Sequence, residues 1–376
     1  MRITTRVATL VVIASCTSPP ESVGDAQEGL SASGPAQRMW GAYALFPRDS
    51  SIFTNPDVDG AFVQFAWSTL QPTSAPPTFA SIDTWLDAAV ANHRRLTIGI
   101  RAGSATPMWV YGGDKSQYLS LTEYAFQQQK CEPNQIVPLP WKTPYLSAFN
   151  ALVDAFAAHV YSNPDWVNAV AGIKLTGINN ASLEISLPYT TAQTHGTCVT
   201  SDAPSAWRAV GYTEDLVNTA WSSILPHFSA GFPRQALIMD YIDLGFPAEY
   251  VNGHLQPKTS AVSTLLVDTA TAMLGTRQFV IEGTGLSRDG GPAPNIDSYA
   301  TSGGVVGYQE LYYVHGAPSP CVMADAGANG MCNEGVLHDA LVFGISHQMR
   351  YVELYTEDIS GYPAEVTFAH QQLARP

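Results

Sequence analysis

Residues 170–188, VAGIKLTGINNASLEISLP, decide how the chain folds. Val170, Ile173, Lys174, Leu175 and Thr176 are β-prone or alternate apolar with polar, as a strand does. The pattern then stops: Gly177, Asn179, Asn180 and Ser182 are loop formers, and Pro188 closes the segment. Within that loop stands one carboxylate, Glu184. A strand ending in Asn residues and a Glu suits a (β/α)8 barrel, where chemistry sits on the loops after the strand C-termini.

The chain on either side repeats the motif. Candidate strands are 41–46, 60–67, 96–101, 170–178, 236–242, 278–282, 304–309 and 351–355, and segments of helical periodicity cover 81–92, 145–161, 206–228, 259–274, 335–348 and 364–373. A long insertion with Trp109, Tyr111, Cys131 and Trp141 follows the third strand. Eight strands alternating with helices predict a single α/β domain, a (β/α)8 barrel over 38–376 with long loop insertions. The rival, a doubly wound open sheet, lacks its dinucleotide fingerprint, since Arg288 stands where the third glycine after Gly283 and Gly285 belongs.

Parity along the strands says which side chains enter the barrel. Val63 and Phe65 face the helices, so Gln64 faces in; Ile98 and Ile100 face out, so Thr97 and Arg101 face in. Asp240 shares parity with Ile238. Phe279 and Ile281 face out and Glu282 in; Val352 and Leu354 face out, and Tyr351, Glu353 and Tyr355 in. Buried polar groups cost stability unless they pair or meet substrate. The alternative to a site is therefore an ion-pair network around Arg101 and Lys174.

The 376 residues are 45% hydrophobic and 13% charged, enough for a large core, and the net charge of −14 argues against a nucleic-acid partner. Arg2 and Arg6, then an apolar run too short to span a bilayer, lead to Ile13-Ala14-Ser15-Cys16. This resembles a bacterial lipobox. It predicts a signal peptide over 1–16, lipidation of Cys16, a tether over 17–37 rich in Ser, Pro, Gly and Ala, and export, either lipid-anchored to a membrane or secreted. Cys131, Cys198, Cys321 and Cys332 predict two disulfides in an exported protein. Of three pairings, Cys131–Cys198 with Cys321–Cys332 is preferred, the second closing a short Gly-rich loop. Their spacings do not resemble a zinc site, and no metal or cofactor is expected.

One family resemblance emerges. Gly60–Pro72, GAFVQFAWSTLQP, resembles the second-strand region of beta-galactosidase-like and related retaining glycoside hydrolases, and Thr78–Leu86 and Arg95–Trp109 continue it. Thr176–Pro188 is similar to the fourth-strand end of those enzymes, where the acid/base Glu resides. Two departures stand out. Asn179 and Asn180 are separated from Glu184 rather than adjacent to it, and the seventh strand ends Tyr308-Gln309-Glu310. With Gln309 facing in, Glu310 faces away unless the chain turns.

The resemblance implies glycoside hydrolysis by two carboxylates of an extracytoplasmic oligo- or polysaccharide. Glu184 fits the proton donor, and its partner is sought among Glu310, Glu353 and Glu282. Trp67, Trp109, Tyr241, Tyr308 and Tyr355 are candidates for stacking on sugar; core packing is the alternative for each. Arg101, Asn179, Asn180, Asp240 and Gln309 complete the expected binding residues. The competing reading is a non-catalytic glycan-binding barrel, which the Asn–Glu separation favours.

Overall fold

The computed structural model describes residues 34–374 apart from 126–129, 252–253, 289–293, 318–320, 322 and 324–331. Cys16, the expected signal peptide and residues 17–33 of the expected tether lie outside the described residues. Residues 34–37, read as the end of the tether, instead belong to the fold. Ala36 is fully buried in the 3-10 helix Pro35–Arg38, and the Arg38 guanidinium donates to the carbonyls of Asn168 and Arg234.

Eight parallel strands close into a barrel: β1 (Gly41–Leu45), β2 (Gly60–Ala66), β3 (Arg95–Arg101), β4 (Val170–Lys174), β5 (Ala236–Tyr241), β6 (Phe279–Leu286), β7 (Val305–Glu310) and β8 (Met349–Tyr355). Each pairs with the next in sequence. Gly41–Leu45 also runs in register with Tyr351–Tyr355, which shuts the ring and leaves no barrel strand with a free edge. The principal helices pack outside: α1 (Ala80–Ala91), α2 (Thr143–Val160), α3 (Glu214–Gly231), α4 (Ala261–Leu274), α5 (Pro294–Thr301), α6 (Glu334–Ser346) and α7 (Pro363–Gln372). A 3-10 helix, Ser50–Thr54, stands in the β1–β2 connection.

The alternation read from the sequence accounts for this arrangement. Val63, Ile98, Ile100, Ile173, Phe279, Ile281, Val352 and Leu354 belong to the core between strands and helices. In α1 the buried Ile82, Leu86 and Ala89 recur at helical spacing on the face toward it. The opposite parity fills the barrel in layers. Lowest are Met39, Tyr43, Ile238, Val280 and Tyr351. Lys174, Asp240, Glu282, Glu353 and Thr97 lie above, all essentially inaccessible, and Leu45, Phe62 and Leu183 cluster near the mouth.

Three expectations are corrected. The fourth strand ends at Lys174 rather than Ile178, because Gly177 turns the chain with φ of 105°. A side chain there would also strike Phe149, 2.6 Å from an added Cβ. The helix expected over 206–228 is two: Ala203–Ala209 ends before Gly211, whose φ is 78°, and Thr213 caps α3 by accepting from the Leu216 amide. The insertion after β3 is not plain loop, for Tyr118–Ala125 and Lys130–Pro138 pair as an antiparallel hairpin. Both disulfides are as expected. Cys131–Cys198 ties the hairpin to the loop after β4, and Cys321–Cys332 closes a segment after β7.

Candidate active site

The barrel mouth, at the C-terminal strand ends, holds a cavity of about 420 Å3. Each strand-end loop delivers specific groups to it. The loop after β4 brings Ser182, Leu183 and Glu184; β5 brings Asp240, β3 Arg101, β2 Gln64 and β7 Gln309. Tyr312, Tyr313 and Tyr355 form one wall. Tyr312 and Tyr313 stack at 4.3 Å between ring centroids, and Tyr313 meets Tyr355 edge-on at 6.0 Å. On the neighbouring strands, Phe46 leans on Phe62 at 5.1 Å. Phe46 sits at φ 48°, a left-handed conformation unusual for a bulky residue.

Two backbone contacts set the Glu184 loop in place. The Ile185 amide donates to the Asp240 carbonyl at 3.0 Å, so the loop is fastened to the end of β5, and the Ser104 amide donates to the Asn180 carbonyl at 2.9 Å. Glu184 is half-buried, and its Oε2 is enclosed without a hydrogen-bond partner. Burial raises its carboxyl above the usual range, and the charge of Glu282 adds to this against the pull of Lys174. A carboxyl that keeps its proton and faces a cavity can donate that proton to a leaving oxygen.

Beneath the cavity lies the ion-pair layer. Lys174 Nζ bonds Asp240 Oδ1 at 2.8 Å, contacts Glu353 Oε1 at 3.1 Å and bonds Glu282 Oε1. Phe62 covers it at 4.5 Å. Burial by itself would lower the Lys174 pKa, but Asp240, Glu282 and Glu353 together raise it. One cation among three carboxylates leaves excess negative charge in a dry interior, so protons must be retained there. Burial, with Glu282 nearby, drives the Glu353 carboxyl well up, and Asp240 is pushed up to about 8 by burial against the pull of Lys174.

The expected site residues thus separate. Glu184, Asp240, Arg101, Gln309 and Tyr355 line the cavity together. The expected partners of Glu184 do not. Glu282 and Glu353 are fully buried around Lys174, where parity placed them, as in the ion-pair network of the alternative reading, except that Arg101 lines the cavity instead of joining it. Glu310 has the outward parity of Tyr308 and is fully buried. Its Oε2 accepts from the Tyr355 amide at 2.9 Å. Burial and neighbouring Asp358 hold its carboxyl well above the usual range. Asp358 accepts in turn from the amides of Val314 and His315, so these two acids support the segments that carry the three tyrosines.

Asn179 is used inside its own loop, accepting from the Gly177 amide and donating to the Ser182 carbonyl. Asn180 donates to Glu123 of the hairpin. Trp67 is fully buried against Tyr145 and Phe149, and Trp109 donates to the Gln71 carbonyl on the outer side. Tyr241 and Tyr308 pack in the outer core, as the alternative for the aromatics held. These aromatics follow helix-facing parity or begin short helices, which is why they miss the mouth. Phe46, Tyr312 and Tyr313 were not singled out from sequence. Their signal is position: Phe46 follows directly on β1, and Tyr312 and Tyr313 come just beyond Leu311, which follows β7.

No family model and no curated protein matches the chain. Solved structures do. The catalytic domain of a beta-amylase from Paenibacillus polymyxa is 11% identical, with 88% of this chain and 98% of that one aligned at a TM-score of 0.53. A beta-galactosidase from the psychrophilic Marinomonas ef1 is 12% identical over 84% of this chain at a TM-score of 0.49, and this chain spans about half (54%) of its length. The likeness to the beta-amylase domain shows the class of fold, a (β/α)8 barrel.

Proposed function

We propose that the protein is a glycoside hydrolase acting on an extracytoplasmic oligo- or polysaccharide, with Glu184 as proton donor and Asp240 as the second carboxylate. The observation that carries this is the placement of Glu184. It is a half-buried carboxyl, its proton affinity raised by burial, at the rim of a cavity that also holds Asp240 and Arg101 and is walled by three tyrosines. Hydroxyl-rich rings suit such a lining, since aromatic faces take their C–H surface and Gln64, Gln309, Ser182 and Arg101 take their hydroxyls. We read the protein as exported and anchored through a lipid on Cys16, with the barrel as its one folded domain.

A second reading has its own support. The carboxylate that shares the cavity with Glu184 is already paired with Lys174, and a barrel without a free second carboxylate binds glycan and leaves it intact. Glu184→Gln separates the two. A hydrolase loses turnover on unactivated glycosides by orders of magnitude, and loses less on substrates whose leaving groups need little protonation. If the variant keeps full turnover of a natural glycan, Glu184 is not the donor. A wild-type protein that binds glycans without cleaving any belongs to the second reading.

A further inference from the structure

Residues adjacent in the chain to the lining of the mouth line two further cavities. Ala181 lines the mouth, and its neighbour Asn180 lines a second cavity of about 330 Å3 between the 118–138 hairpin and the loop after β4. Phe46 and Tyr355 line the mouth, and their neighbours Pro47 and Thr356 line a third cavity of about 440 Å3. In the closed ring β4 and β8 stand four strands apart, on opposite sides. The flanking cavities, above β4 and above β8, therefore lie across the mouth from each other.

We propose that the three cavities form one groove that takes an extended oligosaccharide chain, so that the Glu184 site meets the interior of a glycan rather than its end. This rests on the glycan reading above and names its substrate class. A mono- or disaccharide at the centre would leave two cavities empty, each already of the size that small-molecule sites have.

The flanks carry the chemistry a sugar chain needs. In the second cavity Glu123 accepts from Asn180 Nδ2 at 3.1 and 3.3 Å, and Asn180 Oδ1 is enclosed without a partner. Tyr124 lies flat on His195, 4.1 Å apart and 5° from parallel, giving an aromatic face beside those polar groups. The third cavity presents Arg48, Asp49 and Glu357. The second cavity is also held in shape, because Cys131–Cys198 joins its two walls, and a preformed site loses less entropy on binding.

The test uses the full chain in its Glu184→Gln form, so that binding is read without turnover. Calorimetry against xylo-, cello- and malto-oligosaccharides of two to six units measures Kd as a function of length. In at least one series Kd should fall tenfold or more from dimer to hexamer. Gln193→Trp fills the second cavity and Ser360→Trp the third, both at exposed positions. Each should remove threefold or more of that gain and leave the dimer unchanged, with thermal melting confirming the fold. Flat affinity in every series, no binding in any, or a length gain that both tryptophans leave intact overturns the groove. Long chains that bind but are never cleaved by the wild type overturn the hydrolase reading and leave the groove standing. Cleavage with no length dependence does the reverse.

Discussion

Lys174 controls the charge of the barrel interior. Its three carboxylate partners are inaccessible, and removing one member of a buried ionic set costs roughly 3–5 kcal/mol. Lys174→Met should therefore lower unfolding free energy by about that much at pH 7, and by less at pH 5, where the carboxyls accept protons and need no cation. Denaturant titrations at the two pH values check this; an equal loss at both would mean that the carboxyls do not titrate. The wild type shifts in the same direction. Unfolded Asp240 releases its proton near 3.8 and folded Asp240 near 8, so its contribution to stability falls as pH rises through that window. The charge of Glu184 adds a little to the rise at Asp240. Asp240 must be ionised to act as the second carboxylate, so kcat/KM should rise as pH climbs toward about 8, and carboxyl NMR of Glu184→Gln should find Asp240 titrating lower, its negative neighbour gone.

Among the elements, the loop after β4 depends on the loop after β3. Gly103 sits at φ 50°, and a Cβ there would lie 1.8 Å from the Asn180 carbonyl and 2.2 Å from that of Asn179. Gly103→Ala should thus cost about 1–3 kcal/mol and push the Glu184 loop out of place, lowering activity more than a change elsewhere on the barrel of equal thermodynamic cost. Melting and turnover measured together decide it; unchanged values of both would mean that the loops yield freely. The same region shows what sequence does and does not disclose. Strand interiors were legible because alternation has one period and one consequence: it placed Thr97, Glu282 and Glu353 inside before any coordinates. It also placed Glu184 on a loop after a strand. It did not say which inward carboxylates stop at Lys174 and which reach the cavity, because that depends on height along the barrel axis, set by register between distant strands. The tyrosine wall was illegible for a related reason, since Tyr312 and Tyr313 lie past the end of β7, where periodicity gives no direction.

For the whole molecule, the net charge of −14 repels polyanions, whereas a neutral glycan is indifferent to it. Among the described residues no helix is long and apolar enough to cross a membrane; the attachment proposed above is a lipid on Cys16. Cys16→Ser should shift the protein from the membrane fraction to the soluble exported fraction, and an unchanged distribution would end that reading. The layered interior has a last consequence. Met39 and the apolar layer of Tyr43, Ile238, Val280 and Tyr351 stop the lower end of the barrel, so the molecule is a cup rather than a tube. The open approach to the Lys174 cluster is then the mouth, and a ligand seated over Asp240 would cover it.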